Sequence, residues 1–316
     1  MSEDTIDPIG SISRRDFLGR ASTAAAMFAL PGAFGCGQPR NEAPLSSRSN
    51  ADEARLRAWS ATLRQEGVLS PVGQASVRVG ELAIGTPYKA FTLEAYIKAG
   101  GDPEKKEPLT LSLTEFDCVS LVEACLGVAR AADDKPIPSW GTFAREVERM
   151  RYRSGERGSY STRLHYFSEW ITDGAKRGLV RDLGQELGGV QDARPLRFMT
   201  EHRGSYPALA NDNVFREIGE MERRLDASPR WMIPTARIPE ISDRIQSGDV
   251  LAFATAIPGL DVTHAAFAYR DSSGILRVLH APLSGGVVEI TRLELPAYVA
   301  AIKRSTGILI ARPAAA

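Results

Sequence analysis

The strongest constraint on how this 316-residue chain can fold is a change of hydrophobic period about two-thirds of the way along it. Apolar residues first recur at helical spacing, over 56–66, 118–130, 141–152, 163–174 and 213–226, and such stripes bury one face of a helix. From Val250 the pattern turns to short period-two runs: Val250–Thr255, His264–Tyr269, Leu276–Ala281, Val287–Ile290 and Gly307–Ala311. Helices first and strands after predict an α+β domain with an antiparallel sheet. No repeat and no second linker interrupts 55–316, which reads as one domain.

The N-terminus reads as an address. Ser13-Arg14-Arg15-Asp16-Phe17-Leu18 sets twin arginines before a small, apolar run from Ala21 to Gly35. That run has 15 residues, against the about 20 that a spanning helix needs, and Pro31-Gly32 breaks it. Residues 1–36 are therefore expected to be a twin-arginine export signal, with the export machinery as a partner and the periplasmic cell envelope as destination. Ala33-Phe34-Gly35-Cys36 is similar to a lipoprotein cleavage box, which makes Cys36 a candidate for lipidation and membrane anchoring. Residues 37–54, rich in Pro, Ser, Asn and Arg, read as a flexible tether. Composition narrows the partners. The 39 basic and 39 acidic residues balance, so no single-sign field draws nucleic acid. Three cysteines without a CxxC pair cannot build a disulfide framework or a zinc ribbon.

The reactive chemistry begins at Phe116-Asp117-Cys118. Leu121, Val122, Cys125, Val128 and Ala129 share a helical face, and Asp117 suits the N-cap, so Cys118 takes the first helical position. Unpaired backbone N–H groups and the helix dipole there are expected to favour the thiolate. Cys125, seven residues on, lies about 10.5 Å away along the axis, beyond disulfide reach, and reads as a buried hydrophobe.

His264 and His280 lie on two strands joined by Asp271-Ser272-Ser273-Gly274, a turn-forming run. A turn centred on Ser272 opposes residues whose numbers sum to 544, and 264 and 280 do so. Their Cβ atoms would then be about 4.5–5.5 Å apart on one face. A one-residue shift of the turn is expected to put the rings on opposite faces. With Cys118 the pair makes a nucleophile, base and orienter set. The competing readings are a metal site ligated by the same three residues and a structural histidine pair.

The ordered pieces resemble the NlpC-type papain-like cell-wall cysteine hydrolases, in the N-acetylmuramoyl-L-alanine amidase-like branch. They are Ile84-Gly85-Thr86-Pro87-Tyr88, Phe116-Asp117-Cys118, Arg163-Leu164-His165, Phe198-Met199-Thr200-Glu201-His202, Gly248-Asp249-Val250, Gly259–His264 and Leu279-His280-Ala281. The resemblance implies a papain-like core, with the nucleophile helix packed on an antiparallel sheet, and a peptidoglycan or muropeptide substrate with no cofactor. Cys118 matches the nucleophile, His264 the base, His280 the third polar residue and Tyr88 a tyrosine beside the oxyanion. Val119 departs from the wider superfamily, which has a serine there, so substrate contacts beside the thiol must differ. The branch favours the bond between the muramyl lactyl group and L-Ala. The alternatives are the γ-D-glutamyl bond to the diamino acid, acyl transfer to an amine, and a non-catalytic cell-wall-binding lipoprotein. Residues 131–235 are expected to form a mostly helical inserted lobe, in which Arg163 and His165 either bind substrate or anchor the lobe. His202 is expected to be structural.

Overall fold

A computed structural model of the protein describes residues 49–133, 138–283 and 286–314. The twin-arginine motif, Cys36 and most of the expected tether lie outside the described residues. The first element, α1 (Asn50–Gln65), starts inside that tether, because Ser49 Oγ accepts from the Asp52 N–H at 3.1 Å and caps the helix. Asp52 is buried and its Oδ1 accepts the Leu113 N–H at 2.7 Å, so α1 belongs to the domain.

Leaving aside one-turn helices, the chain continues as α2 (Val72–Leu82), α3 (Cys118–Asp133), α4 (Trp140–Arg151) and α5 (Phe167–Lys176). Then come β1 (Val180–Asp182), β2 (Val190–Asp192), α6 (Asp212–Asp226), β3 (Arg230–Pro234), β4 (Val250–Thr255), β5 (Val262–Arg270) and β6 (Leu276–His280). The described chain closes with β7 (Glu289–Ile290), α7 (Leu295–Ala301) and β8 (Ser305–Pro313). The helix expected over 163–174 begins only at Phe167, since Arg163 and Tyr166 are extended, at ψ 144° and 131°.

The described strands pair antiparallel in the order β2-β3-β8-β4-β5-β6-β7, and β1 also joins β8. β1 and β3 come from the 131–235 stretch. That stretch is therefore stitched into the main sheet rather than set apart as an inserted helical lobe. Only its outer part has a core of its own, where Tyr160, Tyr166, Met199, Leu209, Val214 and Ile218 meet.

Alternation along the strands separates two faces. Ala252, Ala265, Phe267, Leu279 and Leu309 pack on one side with α2 and α3. Leu251, Phe253, Ala266, Val278 and Ile310 pack on the other with α7. Helix α3 is buried on nearly every side, from Leu121 to Ala132, as a central helix must be. Two features of the Gly248-Asp249 piece hold this arrangement. Gly248 has φ +91°, and a Cβ there would lie 2.1 Å from the Gly73 carbonyl oxygen at the start of α2. Asp249 takes both Arg312 Nε and Nη2 at 2.7 Å, which ties β4 to β8. This sequence piece is architectural.

Candidate active site

The N-terminus of α3 is closed by a reciprocal cap. Asp117 Oδ1 accepts the Ser120 N–H at 2.8 Å, while Ser120 Oγ accepts the Asp117 N–H at 2.9 Å. Thr92 Oγ1 donates to the other Asp117 oxygen at 2.6 Å. Cys118 thus occupies the first helical position, half-buried, and Cys125 lies fully buried in the core. The N–H groups of Ala265, Val119 and Cys118 face the sulfur and favour the thiolate, but burial and the neighbouring Asp117 carboxylate outweigh them. The thiol is pushed up to about 12, contrary to the expectation from the helix dipole alone.

The hydrogen-bond parity of β5 explains how Ala265 reaches the thiol. Ala268 points its N–H and C=O toward the β4 side, at Asp249 and Gly248. Alternation therefore turns the Ala265 N–H toward β6, and the β5–β6 pairing ends at Phe267↔Leu279. Beyond that last pair the Ala265 N–H has no β6 partner, and the sulfur occupies this side of the strand.

The hairpin turn is displaced from its expected place. Asp271 and Ile275 close it, with Gly274 at φ +80°, so it centres on Ser273. Pairs such as Ala268↔Val278 and Arg270↔Leu276 then sum to 546 rather than 544. His264 and His280 are diagonal, not directly opposed. Moving the centre by one residue changes each partner by two, which preserves side-chain parity, so both rings remain on one face. The expectation that such a shift would separate the faces was therefore incorrect. Diagonal positions still lie within reach of large side chains. His264 Nε2 and His280 Nδ1 are 2.9 Å apart, and the rings meet edge to face at 5.1 Å.

Both rings lie on the α7 face. Phe253 stacks on His264 at 5.7 Å, and the Tyr298 hydroxyl reaches His280 Nδ1 at 3.4 Å. Burial lowers His264 to about 4, and burial with the His264 charge lowers His280 to about 2. Among the described residues no hydrogen bond joins Cys118 Sγ to His264. The resting groups are a neutral thiol and neutral imidazoles.

Tyr88 is half-buried close to Cys118; burial first, then the Cys118 and Asp117 charges, push its phenol up. Its loop is strapped on both sides: the Tyr88 N–H donates to Gly286 C=O at 2.8 Å, and residues 88 and 116 form a parallel bridge. Arg163 is elsewhere and is 3% exposed. Its guanidinium donates to Leu93 C=O at 2.5 Å, pairs with Glu94 and lies 3.8 Å from Glu107. These contacts consume it, so Arg163 anchors the fold and cannot grip a substrate carboxylate. His165 Nε2 lies 2.8 Å from Tyr160 C=O, its ring lies against Tyr160, and burial lowers it well below the usual imidazole range. It too is packing. Exposed His202 folds back on Phe198, with Nδ1 2.8 Å from the Phe198 C=O.

A cavity of about 410 Å³ opens beside the α3 cap, lined in part by Lys89, Phe91, Thr92, Ser112, Glu115 and Ser120. Among the described residues no group of three or more His, Cys, Asp or Glu side chains is placed to hold a metal ion. The facing nitrogens of the histidine pair are committed to each other. Tyr298, Glu289 and the Ala265 N–H escaped the sequence reading. Only Glu289 carried a signal, as a charged residue in an otherwise apolar run.

Residues 78–308 match the family described as AmiA-like, N-acetylmuramoyl-L-alanine amidase-like. Among solved structures, an N-acetylmuramoyl-L-alanine amidase from Bacteroides uniformis is similar at 29% identity and a TM-score of 0.68, over 77% of this chain and 98% of that one. A putative xylanase from Bacteroides fragilis is similar at 31% identity and a TM-score of 0.67, over 74% and 99%. A Legionella pneumophila protein shares the fold at 20% identity and a TM-score of 0.59, over 84% and 94%. No curated protein matches the chain. With the family match spanning most of its length, the chain belongs to the AmiA-like family of N-acetylmuramoyl-L-alanine amidase-like proteins.

Proposed function

We propose that the protein is a cysteine amidase of NlpC-type, papain-like ancestry that cuts the bond between the muramyl lactyl group and L-Ala in peptidoglycan or its fragments. The observation that carries the reading is the thiol at the capped start of α3, facing the Ala265 N–H, next in sequence to a base already paired with a second imidazole. His264 takes the Cys118 proton at Nδ1 as sulfur attacks the carbonyl, because its Nε2 is occupied by His280. The oxyanion forms toward the Cys118 N–H and the Tyr88 hydroxyl. Protonated His264 then gives its proton to the leaving amine, and water releases the lactyl acid. With both groups neutral at rest, proton transfer accompanies attack.

The xylanase name of one neighbour does not suit these residues. Glycoside hydrolysis ordinarily needs two carboxyl groups flanking the bond, whereas this site presents a thiol and imidazoles. By its N-terminal motif, we place the enzyme in the periplasmic envelope, with residues 1–36 directing export and Cys36 as the candidate anchor point. The test is mass spectrometry of muropeptides of known structure incubated with wild type and Cys118→Ala. Release of an intact stem peptide beginning with L-Ala, absent in the variant, supports the reading. Release of a peptide beginning with the diamino acid, with L-Ala-D-Glu left on the muramyl group, would move the cut to the γ-D-glutamyl bond. Equal turnover by Cys118→Ala would overturn the thiol mechanism.

A further inference from the structure

His280 has one nitrogen accounted for and one that is not. Nδ1 faces His264 Nε2 at 2.9 Å and the Tyr298 hydroxyl at 3.4 Å. Nε2 is fully buried and has no hydrogen-bond partner among the described residues. A carboxylate oxygen, Glu289 Oε1, lies 3.7 Å from it. This proximity is built into the sheet, because His280 and Glu289 are directly paired residues of β6 and β7. Glu289 is half-exposed, so its carboxylate stays hydrated on one side while the other side faces the ring. The groups facing His280 are thus His264 from β5, Glu289 from β7 and Tyr298 from α7.

The tautomers of the two histidines are coupled. If His264 Nδ1 is to accept the thiol proton, its own proton must sit on Nε2 and be donated to His280 Nδ1. His280 Nδ1 must then be an acceptor, which the Tyr298 hydroxyl also favours. Burial, with the Glu289 carboxylate adding to it, raises the Tyr298 phenol and keeps it protonated. The remaining proton of neutral His280 falls on Nε2, directed at Glu289.

We propose that Glu289 is a positioning residue that holds the His280 proton on Nε2 and so keeps His264 Nδ1 free to act as base. This rests on the reading of His264 as the base. Without the carboxylate, the buried Nε2–H loses the negative charge it faces, and His280 gains by carrying its proton on Nδ1 instead. Two N–H groups would then meet where His264 Nε2 points, unless His264 also switches and gives up its basic Nδ1. Glu289 makes no contact with substrate in this scheme.

The experiment compares wild type, Glu289→Gln and Glu289→Ala by nitrogen-15 NMR of the histidine rings, which the presence of only four histidines makes tractable. The same samples are tested for iodoacetamide alkylation of Cys118 from pH 5 to 9. In wild type the His280 proton is expected on Nε2. In Glu289→Ala it should redistribute toward Nδ1, with alkylation about fivefold slower at neutral pH, the scale of one partly screened charge contact. Glu289→Gln, which retains an acceptor oxygen, should recover part of both signals. A wild-type proton on Nδ1, or a tautomer unchanged in Glu289→Ala, would overturn the proposal. The base reading fails separately, if His264→Ala leaves Cys118 alkylation unchanged, and the His280 tautomer is read without reference to that result.

Discussion

The Asp117 carboxylate plays two opposed roles, and replacing it with asparagine separates them. Its oxygen caps α3, a task that asparagine performs about equally well. Its charge, beside the sulfur, raises the Cys118 thiol. Two unit charges about 5 Å apart at an effective dielectric near 20 interact by about 3 kcal/mol. Asp117 is only half-buried, so solvent screening reduces this to roughly 1.5 kcal/mol, or about one pKa unit. Asp117→Asn is therefore expected to move the rising limb of Cys118 alkylation about one unit lower, making the thiol about tenfold more reactive near pH 8. Peptide mass spectrometry separates Cys118 from Cys36 and buried Cys125, and an unchanged melting temperature would show that the cap survives. A rising limb at the same pH as wild type or higher, in a variant of unaltered stability, would refute the argument. The charge would then not be what holds the thiol up.

Three other outcomes follow from the same geometry. Burial lowers His264 to about 4 and His280 to about 2, so below pH 6.5 the unfolded chain takes up protons that the fold refuses. Stability should fall on acidification toward pH 4, by up to about 1.4 kcal/mol per pH unit for each histidine. Buried Glu107, Glu123 and Asp261 are raised and act with the opposite sign, so the difference between wild type and His280→Gln in urea at pH 7.5 and 5 isolates the effect; equal pH slopes would contradict it. Arg163→Ala leaves Glu107 buried with the Tyr152 hydroxyl but without its ion-pair partner and should lose about 3 kcal/mol in urea unfolding, whereas a raised KM with full stability would return Arg163 to the substrate. Gly248→Ala forces a Cβ against the Gly73 carbonyl at a left-handed φ and should cost several kcal/mol, measured as a lower melting temperature; a neutral result would mean that α2 yields freely.

Several parts of the molecule were legible because local chemistry and long-range packing ask for the same residues. Asp117 before an apolar stripe specifies the start of α3, and the burial of that stripe makes it a central helix. The short apolar runs of β4, β5, β6 and β8 are equally plain, since a strand packed on both faces must be apolar along nearly all of its length. Other parts were illegible for identifiable reasons. Helix α2 contains Gly73 and Gly80, poor helix formers retained where backbone meets backbone at Gly248 and where Leu279 covers the helix. β1 and β2 span three residues each, too short to show a period. The hairpin register depended on whether Ser272 or Ser273 sits at the turn centre, a choice made by the Asp271–Gly274 and Asp271–Ile275 hydrogen bonds. Whether Arg163 binds substrate or anchors the lobe stayed open in the sequence because burial, which decides its role, leaves no trace in a three-residue motif.

The position of β8 has a consequence for when the protein can exist at all. It is the last of the described strands to be synthesised, yet it lies in the interior of the sheet, bordered by β4 on one side and by β1 and β3 on the other. Until residue 313 has left the ribosome, β4 and β3 have no common neighbour and both expose long unpaired edges. Neither half of the sheet can mature before β8 is made, and the partial sheet depends on protection from self-association until then. Completion of the sheet therefore waits on β8, and a chain interrupted anywhere before Ser305 leaves the facing edges of β3 and β4 open.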